Sequence, residues 1–188
     1  MSNPRSLWLV SLLAVVGCPS DEELNDEAYH WDVSLVGVED GCHEEAESAL
    51  EEYTYSLLFE ASAVDLQIGT DTFARGEIAG CSLDYDSSVV REDRGEGDES
   101  YIQWQLSGEA SVRLGGTGCD VEATALDLIS DLPPPDWASL ELDVEPQDLD
   151  WVGTETFRVL GLGEEITDLE VGCEYTMLVA GVYREGQE

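Results

Sequence analysis

Histidine, carboxylate and thiol are the groups in this chain that could do chemistry, and they are unequally supplied: two His, 43 Asp or Glu and five Cys in 188 residues. His30 lies at a strand entry, Tyr29-His30-Trp31, and His43 opens a short helix after Cys42. A zinc site or a Ser-His-Asp triad needs a histidine held by a third group, and neither context supplies one. No G-x-S-x-G, H-E-x-x-H or P-loop pattern occurs. Both histidines are therefore read as surface or packing residues, and no catalytic residue is assigned. Carboxylates leave two readings. Glycosidase chemistry needs one acid of raised pKa facing a second carboxylate, and spacing singles out no such pair. Calcium takes hard oxygen ligands on flexible backbone, and Glu92, Asp93, Glu96, Asp98 and Glu99 crowd one glycine-containing loop, Glu92 to Ser100. Asp93, Glu96 and Asp98 are the candidate ligands, although the spacing is not that of an EF-hand and Arg91 and Arg94 could neutralise the charge instead. Calcium is the only cofactor suggested. Glu141, Asp143 and Glu145 alternate with Leu140, Leu142 and Val144, an acid-out, apolar-in strand.

The cysteines divide into one and four. Met1 to Arg5 carries a single cation, Leu7 to Val16 is apolar except for Ser11, and Val15-Val16-Gly17-Cys18 follows at once. Ten residues of helix rise only about 15 Å, half a bilayer core, so this stretch reads as a signal-peptide core rather than a membrane span. Val15 to Cys18 resembles the lipobox of bacterial lipoproteins. The resemblance implies cleavage before Cys18, lipidation of the Cys18 thiol by acyl chains such as palmitate, and a membrane as partner through that anchor. Two or more chains hold a protein firmly where one does not. Pro19 in place of an Asp implies the outer membrane of the bacterial envelope.

The other four, Cys42, Cys81, Cys119 and Cys173, are an even set in an exported chain, which predicts two disulfides. Metal-binding cysteines need close pairs, and the nearest here are 38 positions apart. Each is preceded by glycine, at Gly41, Gly80, Gly118 and Gly172, which suggests bulges or close strand approach beside the bridges. Three pairings are open. The similar contexts Gly80-Cys81-x-Leu83-x-Tyr85 and Gly172-Cys173-x-Tyr175 favour Cys81 with Cys173 and Cys42 with Cys119.

Charge bounds the partners. The seven cations, all arginine, set against 43 acids give a net charge of −36, which becomes −37 once residues 1–17 and Arg5 are removed. Nucleic acid and anionic lipid surfaces are bound by cations, so no nucleic acid is expected as a partner and anionic lipid surfaces are disfavoured on the same ground. Self-repulsion of this size weakens the compact state and is screened by salt, which points to a saline or calcium-bearing habitat.

These groups sit on a chain that reads as β. Trp31, Val33 and Leu35 alternate with polar residues up to the turn Glu39-Asp40-Gly41. Tyr53, Tyr55, Leu57 and Phe59 hold odd parity; Val64, Leu66 and Ile68 hold even, so a hairpin turn or bulge falls between Glu60 and Ala63. Phe73, Cys81, Leu83 and Tyr85 are read on one odd face. Ile102, Trp104, Leu106, Ala110, Val112 and Leu114 keep one parity through Gly108, which suits a single long strand bent there. Thr156 to Leu160 is a strand, and the last strand, Leu169 to Tyr183, is long. Helical period appears weakly at Ala46, Leu50 and Tyr53 and at Val121, Ala125, Leu128, Ile129 and Leu132.

The expected fold is all-β and antiparallel, about eight strands in a closed or partly closed barrel, with a two-layer sandwich as the alternative. Residues 1–17 form the signal peptide, 18–28 an acidic tether, 29–184 a single β-domain and 185–188 a tail. The globular part resembles acidic lipoproteins of myxobacteria through its Gly-Cys pairs and Trp104-x-Leu106-x-Gly108; this likeness implies no activity. The expected function is a non-enzymatic β-domain on an envelope anchor, binding a small ligand or a partner protein. A structural or adhesive coat component and a carboxylate-based carbohydrate-active enzyme are the alternatives. A ligand-holding barrel would resemble the lipocalins, whose G-x-W signature is missing here: Tyr29-His30 precede Trp31.

Overall fold

The computed structural model describes residues 28–42, 50–60, 63–95, 99–114, 119–131 and 146–184. Among them are nine strands: β1 Tyr29–Asp40, β2 Leu50–Glu60, β3 Ala63–Ile68, β4 Asp71–Ala79, β5 Ser82–Asp86, β6 Val90–Asp93, β7 Tyr101–Val112, β8 Trp151–Leu162 and β9 Glu174–Tyr183. One helix, α1 Val121–Asp131, and a 3-10 turn, Pro146–Asp148, lie between β7 and β8. The hydrogen-bonded order is β5-β4-β3-β2-β1-β9-β8-β7-β6, with β5 also paired to β7. That last pairing closes eight antiparallel strands into a barrel and leaves β6 as a ninth. The barrel therefore stands and the sandwich does not, because closure removes the edges that two separate sheets would keep.

The closure is local. β5 and β6 share one edge of β7: Ser82 to Asp86 face Ser111 to Ser107, and Val90 to Asp93 face Trp104 to Tyr101. Ser87 joins them. Its amide donates to the Leu106 carbonyl and its hydroxyl accepts from the Leu106 amide, both at 2.9 Å. The stretch read as the start of a loop at Glu92 and Asp93 is thus strand, because β7 offers it an unfilled ladder.

Alternation sorts the side chains. Trp31, Val33, Leu35, Tyr55, Leu57, Leu66, Leu83, Tyr85, Leu106, Val112, Trp151 and Val179 point inward and are almost wholly buried. A second apolar cluster lies on the outer wall, where Val121 and Leu128 of α1 meet Val36, Val152, Leu178 and Ala180 from β1, β8 and β9. Asp120 caps α1: its carboxylate accepts from the Ala123 amide at 3.0 Å. Of the two helical periods read in the sequence, the one beginning at Val121 forms. The other does not at Leu50 and Tyr53, which lie in β2, where Tyr53 pairs with Val33; Ala46 lies outside the described residues.

The uncovered wall, β3-β4-β5-β7, is polar. Glu77 is opposite Asp84, and Asp84 is opposite Glu109, so three exposed carboxylates form a row across adjacent strands. A membrane-spanning barrel carries an apolar band there instead. No helix among the described residues is long and apolar enough to cross a membrane.

Both disulfides form, with pairings other than the favoured ones: Cys42–Cys173 and Cys81–Cys119. Register explains the difference. β1 pairs with β9 through Asp40 and Tyr175, so Cys42 and Cys173 lie two residues further along the same ladder, with the Gly41 amide donating to the Glu174 carbonyl at 2.8 Å. Cys81 lies in the β4–β5 turn, where its carbonyl accepts from Val112 at the end of β7, and Cys119 follows shortly after that strand. The two bridges therefore staple opposite ends of the barrel. Gly80 and Gly172 precede their cysteines for a reason other than bulges: their φ angles of +67° and +92° fall where a side chain is strained. Those turns also break two readings of continuous strand. Phe73 and Tyr85 lie on different strands, β4 and β5, and β9 begins only at Glu174. Leu140 to Glu145 and Gly118 lie outside the described residues.

Candidate functional site: a buried carboxyl between two tyrosines

Inward positions of β8 run Trp151, Gly153, Glu155, Phe157, Val159, and one of them is an acid. Glu155 has no exposed surface. Its neighbours across the ladders are Gly108 on β7 and Met177 on β9. From further round the barrel the Tyr85 hydroxyl of β5 donates to one carboxyl oxygen at 2.7 Å, and the Tyr55 hydroxyl of β2 donates to the other at 3.2 Å. The carboxyl thus ties together three strands that are not neighbours in the sheet.

Glycine makes the geometry possible. A Cβ on Gly108 would overlap the Tyr85 ring, and one on Gly76 would meet the Asp84 carbonyl and the Tyr85 Cβ. Tyr85 therefore lies flat across the bare backbone of β7, which brings its hydroxyl to Glu155. This, rather than a bend alone, is what Gly108 supplies. Trp151 closes the space beside the phenols, with ring centroids 5.8 Å from Tyr55, 6.4 Å from Tyr85 and 5.5 Å from Trp31. Edge-on aromatic contacts at such distances are favourable beyond the area they bury.

Electrostatics follow from burial. Desolvation raises the Glu155 carboxyl to about 7, with the Tyr85 and Tyr55 hydrogen bonds opposing the shift. Burial likewise raises the Tyr85 phenol well above its ordinary value, with the Glu155 charge adding to it. A carboxyl that exchanges its proton near neutrality is the chemical property of this cluster. Its enclosure decides what it can do: it can take up or release a proton, but it meets no solute from outside in the closed barrel.

Comparison with protein-family models, curated proteins and solved structures found no match for this chain.

The residues singled out by sequence lie elsewhere. Asp93, on the outer side of β6, accepts from Arg91 Nε at 3.0 Å, and the Arg91 guanidinium lies 4.1 Å from the Tyr101 ring centroid. Glu92 is paired with Arg94 at 2.9 Å and its pKa is raised, burial outweighing the arginine's opposing pull. Arg91 and Arg94 thus pair with Asp93 and Glu92, the two acids of this run that lie on β6. Glu96 and Asp98 lie outside the described residues, and among those described no group of three or more His, Cys, Asp or Glu is placed to hold a metal. His30 Nδ1 is 2.8 Å from the hydroxyl of Ser56, its cross-strand partner. Cys18 and His43 fall outside the described residues. Glu155 was missed, although a signal existed: it is the lone acid in the alternating series from Trp151 to Val159. The strand was read only from Thr156, one position too late to include it.

Proposed function

We propose that this chain is a lipid-anchored protein of the bacterial envelope, held at the outer membrane through Cys18, whose barrel binds a partner by its outer wall without catalysing a reaction. The observation that carries this is the arithmetic of the thiols. Cys42, Cys81, Cys119 and Cys173 pair with one another, so Cys18 is the odd one, at the position the lipobox resemblance marks for acylation. Paired cysteines also suit an oxidising compartment.

The filled interior favours a partner protein over a small apolar ligand. Trp31, Trp151, Tyr55 and Leu57 occupy the space that a ligand-holding barrel leaves empty. The wall left open by α1 carries the Glu77, Asp84 and Glu109 row, so the partner surface it suits is cationic.

Intact mass of the chain extracted with detergent from a bacterial host tests the anchor. The expected mass is that of a polypeptide beginning at Cys18 with two or three acyl chains and two disulfides, and Cys18→Ser should abolish acylation. A mass without lipid, or a mature terminus elsewhere, overturns the reading.

A further inference from the structure

The Glu155 carboxyl can keep a hydrogen bond on each oxygen in either protonation state, the Tyr55 proton turning away when the carboxyl is the donor. When it is ionised, Tyr85 and Tyr55 both donate to it, at 2.7 and 3.2 Å. When it is protonated, Tyr85 still donates to the first oxygen, and the second oxygen, now a hydroxyl, donates to the oxygen of Tyr55. One proton therefore decides whether the centre of the barrel is a neutral network or an enclosed charge.

We propose that Glu155, Tyr55 and Tyr85 form a proton-operated latch across the barrel lumen, tight with the carboxyl protonated and loosened when it ionises. The three side chains come from β8, β2 and β5, so the latch spans opposite walls rather than one ladder. The two phenols donate to the carboxyl, and the ladder partners of Glu155 are Gly108 of β7 and Met177 of β9; of these four residues only the tyrosines titrate. The described arginines are all engaged elsewhere: Arg75 with Asp65, Arg91 with Asp93, Arg94 with Glu92, Arg113 with Asp150, Arg158 with Glu174 and Arg184 with Asp32. The charge that appears on ionisation thus has no counter-ion among the described residues, and water admitted by loosening the barrel is what would solvate it. Burial places the exchange near pH 7. An envelope protein meets the pH of its surroundings more directly than a cytoplasmic one, so a stiff acid form and a looser alkaline form would set how rigidly the outer wall is presented.

The experiment is a titration of the full purified chain in detergent. The Glu155 side-chain carboxyl is followed by 13C NMR, and amide exchange in β2, β5 and β8 is followed between pH 5.5 and 8, corrected for the base dependence of exchange itself. Glu155 should titrate near pH 7, clear of the exposed acids. Across that range the opening constant should rise on the order of tenfold or more in the wild type beyond any rise in Glu155→Gln, which keeps the neutral network. Parallel pH profiles for the two proteins, or a Glu155 carboxyl that titrates with the exposed acids, overturn the latch. If Glu155→Gln does not fold, Tyr85→Phe decides: losing a donor to the carboxylate should move the Glu155 midpoint further up, and an unmoved midpoint refutes the coupling.

Discussion

A single carboxyl among the apolar side chains of the interior changes how this barrel responds to pH. Glu155 differs from an ordinary paired acid in sign. Its folded pKa lies above its unfolded value, about 7 against 4.5, so the folded state holds a proton that the unfolded state has released. Its contribution to stability is whole below the unfolded value and is lost as pH rises through the folded one. The linkage limit for that difference is about 3 kcal/mol. Glu155→Gln should therefore match the wild type in urea denaturation near pH 4.5 and exceed it at pH 8 by up to about that amount; a variant no more stable at pH 8 would show that the carboxyl is already solvated. Gly108→Ala tests the support beneath it. The added methyl meets the Tyr85 ring, and overpacking of this kind costs about 2 kcal/mol, readable as a lower urea midpoint. Alternation along Trp151 to Val159 was the one local sign of Glu155, lost because the strand was read only from Thr156, and nothing local indicated that Tyr55 and Tyr85, 100 and 70 residues away, would meet it.

Strand parity carried most of what could be read about elements. The hairpin between β2 and β3 pairs Glu60 with Ala63 at the expected parity switch, and β7 runs through Gly108 unbroken. The disulfide pairing was not legible, because it depends on β1 meeting β9 and β5 meeting β7, contacts between distant parts of the chain. Loop length ranks the bridges. Cys42–Cys173 closes 131 positions and Cys81–Cys119 closes 38, for which chain entropy alone gives about 5 and about 4 kcal/mol. The Cys42→Ser/Cys173→Ser pair should accordingly destabilise the barrel more than Cys81→Ser/Cys119→Ser, measured by denaturation without reductant. The acidic row offers the opposite opportunity. Asp84 faces Glu77 on one side and Glu109 on the other, an arrangement of like charges that costs stability in a sheet. Asp84→Lys should raise the unfolding free energy by up to about 1 kcal/mol at low salt, seen as a higher urea midpoint, and the gain should shrink as salt is added.

At the scale of the molecule, charge and closure oppose each other. Every described arginine is already paired, while the remaining acids leave the net charge at −36, so adding NaCl from low ionic strength should raise the urea midpoint steadily as repulsion is screened. A midpoint unmoved by salt would mean that the acids are too far apart to repel. The saline habitat read from composition rests on this same repulsion. Composition, parity and cysteine count are properties of the chain in order, and they determined by themselves that this protein is acidic, antiparallel β and twice bridged. Which strands close the ring, which cysteines meet and which acid is enclosed were decided only by the tertiary structure. Those outcomes depend on pairing between residues far apart in sequence, and the free energy of each pairing exists only once the other walls of the barrel are in place.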